Sequence, residues 1–249
     1  MNQINQAFIF AAGRGERMRP ITDEIPKPLI KVNNKSIIDY SIDFLEDISS
    51  IKRIIVNGFY LADLVNKHIE SKKSKKLVFS HEHQKIETGG GLLYAIKKHL
   101  VDVNEPILLI NGDILCCDKI FFEDIQNLIK LYFESGCDIV LGLKRVGQLY
   151  GYEGFGDFTL EIESKKVYKL DHDNSHVFVG LQIVNPMIFK DIDIESFSMN
   201  YFYKKALNSK KYLEKICAEE LRAKYYHIGD VKTLGEVEKI ISQLINKND

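Results

Sequence analysis

The feature that most constrains this chain is an alternation of short apolar runs with helical periodicity through its first 145 residues. Runs at 7–12 (AFIFAA), 51–58 (IKRIIVNG), 76–80 (KLVFS), 106–113 (PILLINGD) and 137–144 (CDIVLGLK) are rich in Ile, Val, Leu and Phe and read as buried strands. Between them, Ser36 to Leu45, Leu61 to Ile69, Gly91 to Leu100 and Phe121 to Phe133 carry a helical repeat; Ile125, Leu128, Ile129 and Tyr132 share one face of the last. Such alternation calls for right-handed crossovers, and so predicts an α/β fold with a mostly parallel sheet and helices on both faces. Ligands of these sheets lie beyond the carboxyl ends of the strands, which places functional residues directly after each run.

Past residue 150 the pattern changes to extended stretches at 155–162, 166–170 and 176–184, a helical segment from Met199 to Leu207, and a final helix from Thr233 to Ile245. This half reads as an α+β elaboration of the first sheet. At about 150 residues per domain, 249 residues lie between one domain and two. No Pro/Gly/Ser-rich linker and no internal repeat divides them, so we expect a single domain over 1–249, with parts at about 1–145 and about 146–249.

Composition removes several classes of function. Lys plus Arg number 34 against 35 Asp plus Glu, a formal charge of −1 that disfavours bulk capture of nucleic acid. Cys116, Cys117, Cys137 and Cys217 show no CxxC spacing, and are expected to be reduced, buried thiols. The apolar run at 7–12 is too short for a signal peptide, and no stretch nears the ~18 residues of a membrane span. The expectation is a cytoplasmic, soluble protein with no membrane partner, a monomer or small homo-oligomer.

The most informative segment follows the first run: Gly13-Arg14-Gly15-Glu16-Arg17-Met18-Arg19-Pro20, then Pro26-Lys27-Pro28-Leu29. Glycines let backbone N–H groups approach phosphate, while Arg14, Arg17, Arg19 and Lys27 concentrate positive charge in a neutral protein. Met18 stands where a dinucleotide fingerprint needs glycine, and no GK[ST] is present, so both common phosphate loops fail. An ordinary turn with a solvated basic face is the competing reading. Pro26 and Pro28 bracket Lys27 in what reads as a stiff, extended presentation. Asp113 ends the run at 106–112, where a carboxylate suits Mg²⁺ or caps a following helix. Neighbouring Asn111 offers a donor for sugar hydroxyls. Glu87-Thr88-Gly89-Gly90-Gly91 reads as a close-approach loop ahead of a helix, or as a flexible loop with a threonine cap.

The long motif AAGRGERMRPITDEIPKPL resembles the signature of the sugar-phosphate nucleotidyltransferases, and the likeness extends through ETGGG (87–91), NGD (111–113), GDF (156–158) and YHIGDVKTLGEVE (226–238). It implies a Rossmann-like, mostly parallel mixed sheet with a small acceptor-binding elaboration. It also implies transfer of a nucleoside monophosphate from an NTP, UTP foremost, to a sugar 1-phosphate, N-acetylmuramate 1-phosphate foremost, with release of pyrophosphate. That would be a step in reuse of cell-wall sugars. By the same resemblance, Ala12, Gly13, Arg14, Gly15, Glu16, Arg17 and Lys27 would cradle the triphosphate, with Lys27 and Arg17 catalytic. Glu87, Thr88, Gly89 and Gly90 would border the nucleobase; Asn111, Asp157 and Gly180 would meet the sugar phosphate. Asp113 would hold the metal, Mg²⁺ in the family.

The chain departs from the family where a second acidic metal ligand is expected, because His227 occupies that place. Imidazole favours transition metals over Mg²⁺, so three readings stand: an enzyme leaning to Mn²⁺, an Mg²⁺ enzyme relying on Asp113, or a weakened sugar-nucleotide-binding regulator. Asp230 is a possible substitute ligand, although three residues along a strand would turn it to the opposite face. Alternative substrates are mannose or glucose 1-phosphate and phosphocholine. The groups His81-Glu82-His83 and Asp171-His172-Asp173 with His176 lack a defined zinc spacing and are expected to be solvated.

Overall fold

The computed structural model describes residues 3–169, 171–208 and 215–245. In chain order the strands are β1 (Gln6–Phe10), β2 (Lys31–Val32), β3 (Lys35–Ser36), β4 (Arg53–Gly58), β5 (Leu77–His81), β6 (Ile107–Asn111), β7 (Ile114–Cys116), β8 (Ile139–Arg145), β9 (Thr159–Leu160), β10 (Val167–Tyr168), β11 (His176–Val184), β12 (Ile216–Glu220) and β13 (Tyr225–His227). The helices are α1 (Ile37–Asp47), α2 (Ala62–Ser71), α3 (Glu87–Lys97), α4 (Ile120–Ser135), α5 (Asn200–Asn208) and α6 (Val231–Ile245).

Seven strands form one sheet in the order β12-β8-β11-β6-β1-β4-β5. β6, β1, β4 and β5 run parallel, as do β12 and β8, and β11 is antiparallel to both β6 and β8. The expected mostly parallel mixed sheet is therefore present. Alternate residues of one strand serve opposite cores. Ala7 and Ile9 join Ile38, Ile42, Val65, Ile125 and Leu128 from α1, α2 and α4, whereas Phe8 joins Leu92, Leu93, Phe202 and Tyr203 from α3 and α5.

The structure corrects three local readings. Glu87 to Gly91 is not a loop ahead of a helix, because α3 begins at Glu87. The glycines are needed by packing: a Cβ on Gly89 would lie 2.4 Å from the Phe197 ring, one on Gly90 2.3 Å from the Glu195 carbonyl, and one on Gly91 2.5 Å from Glu82 Oε1. Lys27 is not in an extended segment but opens one turn of 3-10 helix, Lys27–Leu29, after an extended Pro26. Asp230 is not on a strand; its carboxylate accepts from Thr233 N at 2.8 Å and caps α6. Residue 170, the last of the stretch read as extended at 166–170, lies outside the described residues.

β12 is absent from the sequence reading and β13 enters it only as the strand assumed around His227; together they complete the molecule. Their connection is held by two buried charges. Asp124 on α4 accepts from Arg222 N (3.0 Å), Ala223 N (2.9 Å) and the Tyr225 hydroxyl (3.1 Å). Lys144 Nζ donates to the carbonyls of Leu221, Arg222 and Ala223 at 2.8–3.0 Å. β13 then pairs antiparallel with β7, setting His227 opposite Ile114. A third cluster beneath this ribbon joins Met18 to Leu115, Tyr226, Ile228, Val237 and Ile241. Among the described residues no helix is long and apolar enough to cross a membrane, and no group of three or more His, Cys, Asp or Glu is placed to hold a metal. None of the four cysteines is in a disulfide; Cys137 and Cys217 are buried as expected, whereas Cys116 is half-buried and Cys117 exposed, because they close the short edge ribbon of β7 rather than a strand of the main sheet.

Candidate active site

A cleft of about 210 Å³ opens where β1, β4 and β6 end, the position an open parallel sheet reserves for ligands. Its walls include Ala12, Gly13, Lys27, Glu87, Thr88, Asn111 and Asp113, together with Asn57 and Glu82.

The loop after β1 is built by Gly15 and by Met18. Gly15 has φ +64°, and a Cβ there would press to 2.9 Å from Lys27 Cβ and 3.1 Å from Thr22 Cγ2. Glycine is thus demanded both by the left-handed backbone and by the lysine stem lying against it. The Thr22 hydroxyl donates to the Gly15 carbonyl at 2.9 Å. Glu16–Met18 forms one 3-10 turn, and Met18, fully buried, plugs that turn into the third cluster. The residue that breaks the dinucleotide fingerprint is the loop's anchor. Arg14 lies 5.3 Å from the centre of the Tyr60 ring, and Arg19 pairs with Asp23 at 3.1 Å in the open.

Lys27 reaches across to Asp113: Nζ to Oδ2 is 2.7 Å, with the lysine side chain 11% exposed and the aspartate 31%. His227 Nε2 addresses the same oxygen from 3.8 Å. Burial raises the Asp113 carboxyl, but the Lys27 ammonium, helped by His227, reverses this and holds it below its ordinary value. His227 is lowered, first by burial and then by the charges of Lys27 and Arg17, against the opposing pull of Asp113. The Arg17 guanidinium lies over Gly229, where a Cβ would be 3.3 Å from both its terminal nitrogens and 3.3 Å from His227 Cε1. Lys27 and Asp113, which line the cleft, are thereby joined by His227 and, beside it, Arg17, neither of which lines it.

The remaining expected residues divide. Glu87 and Thr88 line the cleft, and the Thr88 hydroxyl accepts from Met199 N at 3.0 Å. Gly89 and Gly90 are buried beside it, with Gly90 N donating to the Phe197 carbonyl at 2.9 Å. Asn111 lines the cleft and lies across Gly180, whose φ is +79° and whose Cβ would fall 2.6 Å from the Asn111 side chain. Gly180 marks the register shift of β11 between Phe178 and Gln182. Asp157 accepts from Phe178 N at 2.9 Å, so one of its oxygens pins that irregular strand.

Sequence reasoning overlooked Asn57, and met Glu82 only within the group His81-Glu82-His83. Asn57 Oδ1 accepts from Ala11 N at 2.6 Å and its Nδ2 donates to Glu82 Oε1 at 2.6 Å, tying the root of the β1 loop to the opposite wall. Glu82 is 2% exposed and burial pushes its carboxyl up to about 7, against the lowering effect of the Asn57 bond. A polar residue near the end of a buried run, as Asn57 stands one place before the end of β4, was the available signal.

Comparison with known proteins agrees with this architecture. The family model described as Nucleotidyl transferase matches residues 6–169. The chain is 29% identical over 235 residues to the N-acetylmuramate alpha-1-phosphate uridylyltransferase of Caulobacter vibrioides, covering 90% of this chain and 91% of that protein. It is 27% identical over 201 residues to mannose-1-phosphate guanyltransferase beta-B of Xenopus laevis, covering 78% of this chain and spanning about half (53%) of that relative. The fold matches a crystal structure of UDP-glucose pyrophosphorylase complexed with UDP-glucose, with a TM-score of 0.74 at 19% identity over 97% of this chain and 99% of that one.

Proposed function

The chain belongs to the nucleotidyl transferase family, and from that premise we propose that it moves a uridylyl group from UTP to a sugar 1-phosphate, N-acetylmuramate α-1-phosphate foremost, releasing pyrophosphate. The observation that carries this reading is the meeting of two cleft residues, Lys27 and Asp113, 2.7 Å apart, with His227 3.8 Å from the same carboxylate and Arg17 beside His227. A sugar phosphate oxygen attacks the α-phosphorus while pyrophosphate departs in line. The attacking monoester is largely ionised near neutral pH, its second pKa being about 6, so neither a protein nucleophile nor a general base is required. Catalysis then consists of aligning two anions and offsetting the charge that develops on them.

In this reading Ala12, Gly13, Arg14, Gly15, Glu16 and Arg17 surround the triphosphate, and Lys27 and Arg17 stabilise the reacting phosphates. Glu87 and Thr88, with Gly89 and Gly90 behind them, border the base. Asn111 and the Gly180 bulge shape the sugar side, and Asp157 fixes that bulge. Asp113 and His227 are the residues suited to a divalent cation: a partly exposed carboxylate and an imidazole nitrogen 3.8 Å from it, within the span of one ion. The ion would supply charge neutralisation at the phosphates. Likeness to the guanyltransferases supports a second reading, with GTP and mannose 1-phosphate.

The test is pyrophosphate release from each of four NTPs against N-acetylmuramate, mannose and glucose 1-phosphates and phosphocholine, with Mg²⁺ and with Mn²⁺. We expect turnover to be greatest with UTP and N-acetylmuramate 1-phosphate. Absence of turnover in every pairing would leave the cleft a binding site and overturn the enzyme assignment.

A further inference from the structure

Oδ2 of Asp113 is addressed by two side chains at once. Lys27 Nζ hydrogen-bonds it at 2.7 Å, and His227 Nε2 waits at 3.8 Å. Asp113 is the one hydrogen-bond partner of Lys27 Nζ among the described residues, although the lysine borders a cleft read above as the seat of a triphosphate. Its stem is fixed rather than free to wander, because Lys27 Cβ and Cδ both lie against Gly15, which leaves Cε and the ammonium to swing. A divalent ion bonded to Oδ2 would stand about 2.1 Å from that oxygen. An ammonium hydrogen-bonded to the same atom would then face a doubly charged neighbour with little water between them. The two cations compete for Oδ2, and each weakens the other's hold on that oxygen.

We propose that Asp113 is an exchange seat: Lys27 fills it in the free protein, and when a divalent cation is held by Asp113 and His227, Lys27 is released into the cleft. The proposal rests on the reading of this cleft as a metal-dependent phosphate site, and it adds a coupling between two groups there. Lys27 reaches the anionic substrate only once Asp113 has another cation. Arg17, which lies over Gly229 beside His227 and makes no contact with Asp113, takes no part in the exchange.

The experiment measures Mn²⁺ binding to the full chain without nucleotide, by electron paramagnetic resonance of the unbound ion. We expect Lys27→Met to bind Mn²⁺ at least about tenfold more tightly than wild type, the lower end of what a neighbouring cation does to a carboxylate's proton affinity. Asp113→Asn should abolish that site in either background. Arg17→Met removes an equal charge nearby and should change affinity by less than about threefold, as expected for a screened charge without contact. Equal affinity of wild type and Lys27→Met would overturn the exchange, and so would an equal gain in Arg17→Met. In unsubstituted protein, saturating Mn²⁺ should raise the acetylation rate of Lys27 relative to the other lysines, read by peptide mass mapping; an unchanged rate would also overturn it. No arm contains nucleotide or sugar phosphate, so failure of the transferase assignment and failure of the exchange are read separately.

Discussion

Replacing Glu82 by glutamine should make the protein more stable in alkaline solution while leaving it unchanged in acid. Glu82 is 2% exposed, and its Oε1 accepts from Asn57 Nδ2 at 2.6 Å with no cationic partner among the described residues. Burial lifts its carboxyl from 4.5 to about 7. Below pH 4.5 the acid is protonated whether the chain is folded or not, and it carries no penalty. Between 4.5 and about 7 the unfolded chain releases a proton that the folded chain keeps, so stability falls as pH rises; above about 7 the loss is complete and constant. At roughly 1.4 kcal/mol per pKa unit the full loss is about 3 kcal/mol. Glutamine retains the oxygen that Asn57 addresses and cannot ionise. Urea denaturation of both proteins from pH 4 to 9 should therefore give curves that meet in acid and diverge, in favour of Glu82→Gln, through pH 5 to 7. A constant offset over the whole range would refute the claim that burial raises this carboxyl beyond what the Asn57 bond offsets.

Four further outcomes follow from the geometry. Lys27→Ala should lower turnover by about 10²-fold or more in a pyrophosphate-release assay, as loss of a key electrostatic donor does; near-normal turnover would remove Lys27 from the reaction. His227→Asp should shift the ratio of Mn²⁺-supported to Mg²⁺-supported rates toward Mg²⁺, since it exchanges a nitrogen donor for an oxygen, and identical metal profiles would show that His227 is no ligand. Gly180→Ala combines a φ of +79° with a contact of 2.6 Å to Asn111, and should cost about 1–3 kcal/mol in denaturant titration. Asp124→Asn weakens a buried acceptor of two backbone N–H groups and the Tyr225 hydroxyl; about 1–3 kcal/mol of stability should be lost by the same measurement.

The site was legible wherever chemistry lies next to a buried strand. Gly13, Gly15 and Lys27 read as a candidate phosphate loop by composition, and Asp113 as a candidate ligand by its place after an apolar run, because backbone approach and charge density are local properties. Asn57 and Glu82 were not legible as a pair. Each is an ordinary polar residue in sequence, and the bond between them spans 25 positions. The glycines at 89–91 were legible as a demand for close approach, but what approaches is Phe197, Glu195 and Glu82, which sequence spacing cannot reveal. β12 was missed, and the bounds of β13 were not found, for a similar reason. Ile216–Glu220 and Tyr225–His227 are short, and their extended form is stabilised by pairing with β8 and β7 rather than by an apolar pattern of their own.

By itself, the sequence determined the α/β class, the layering of helices on a mostly parallel sheet, and the end of that sheet at which a ligand must lie. Hydrophobic periodicity and glycine placement act over a few residues and so are written in the order of the chain. Tertiary structure alone decided that Lys27 rests on Asp113, that His227 faces the same oxygen, and that Arg17 lies over Gly229. Those contacts join residues 86 to more than 200 positions apart, and they exist only because the β7–β13 ribbon and the Met18 plug share one small core. Electrostatic energy depends on the final separation of charges, which folding sets and composition does not.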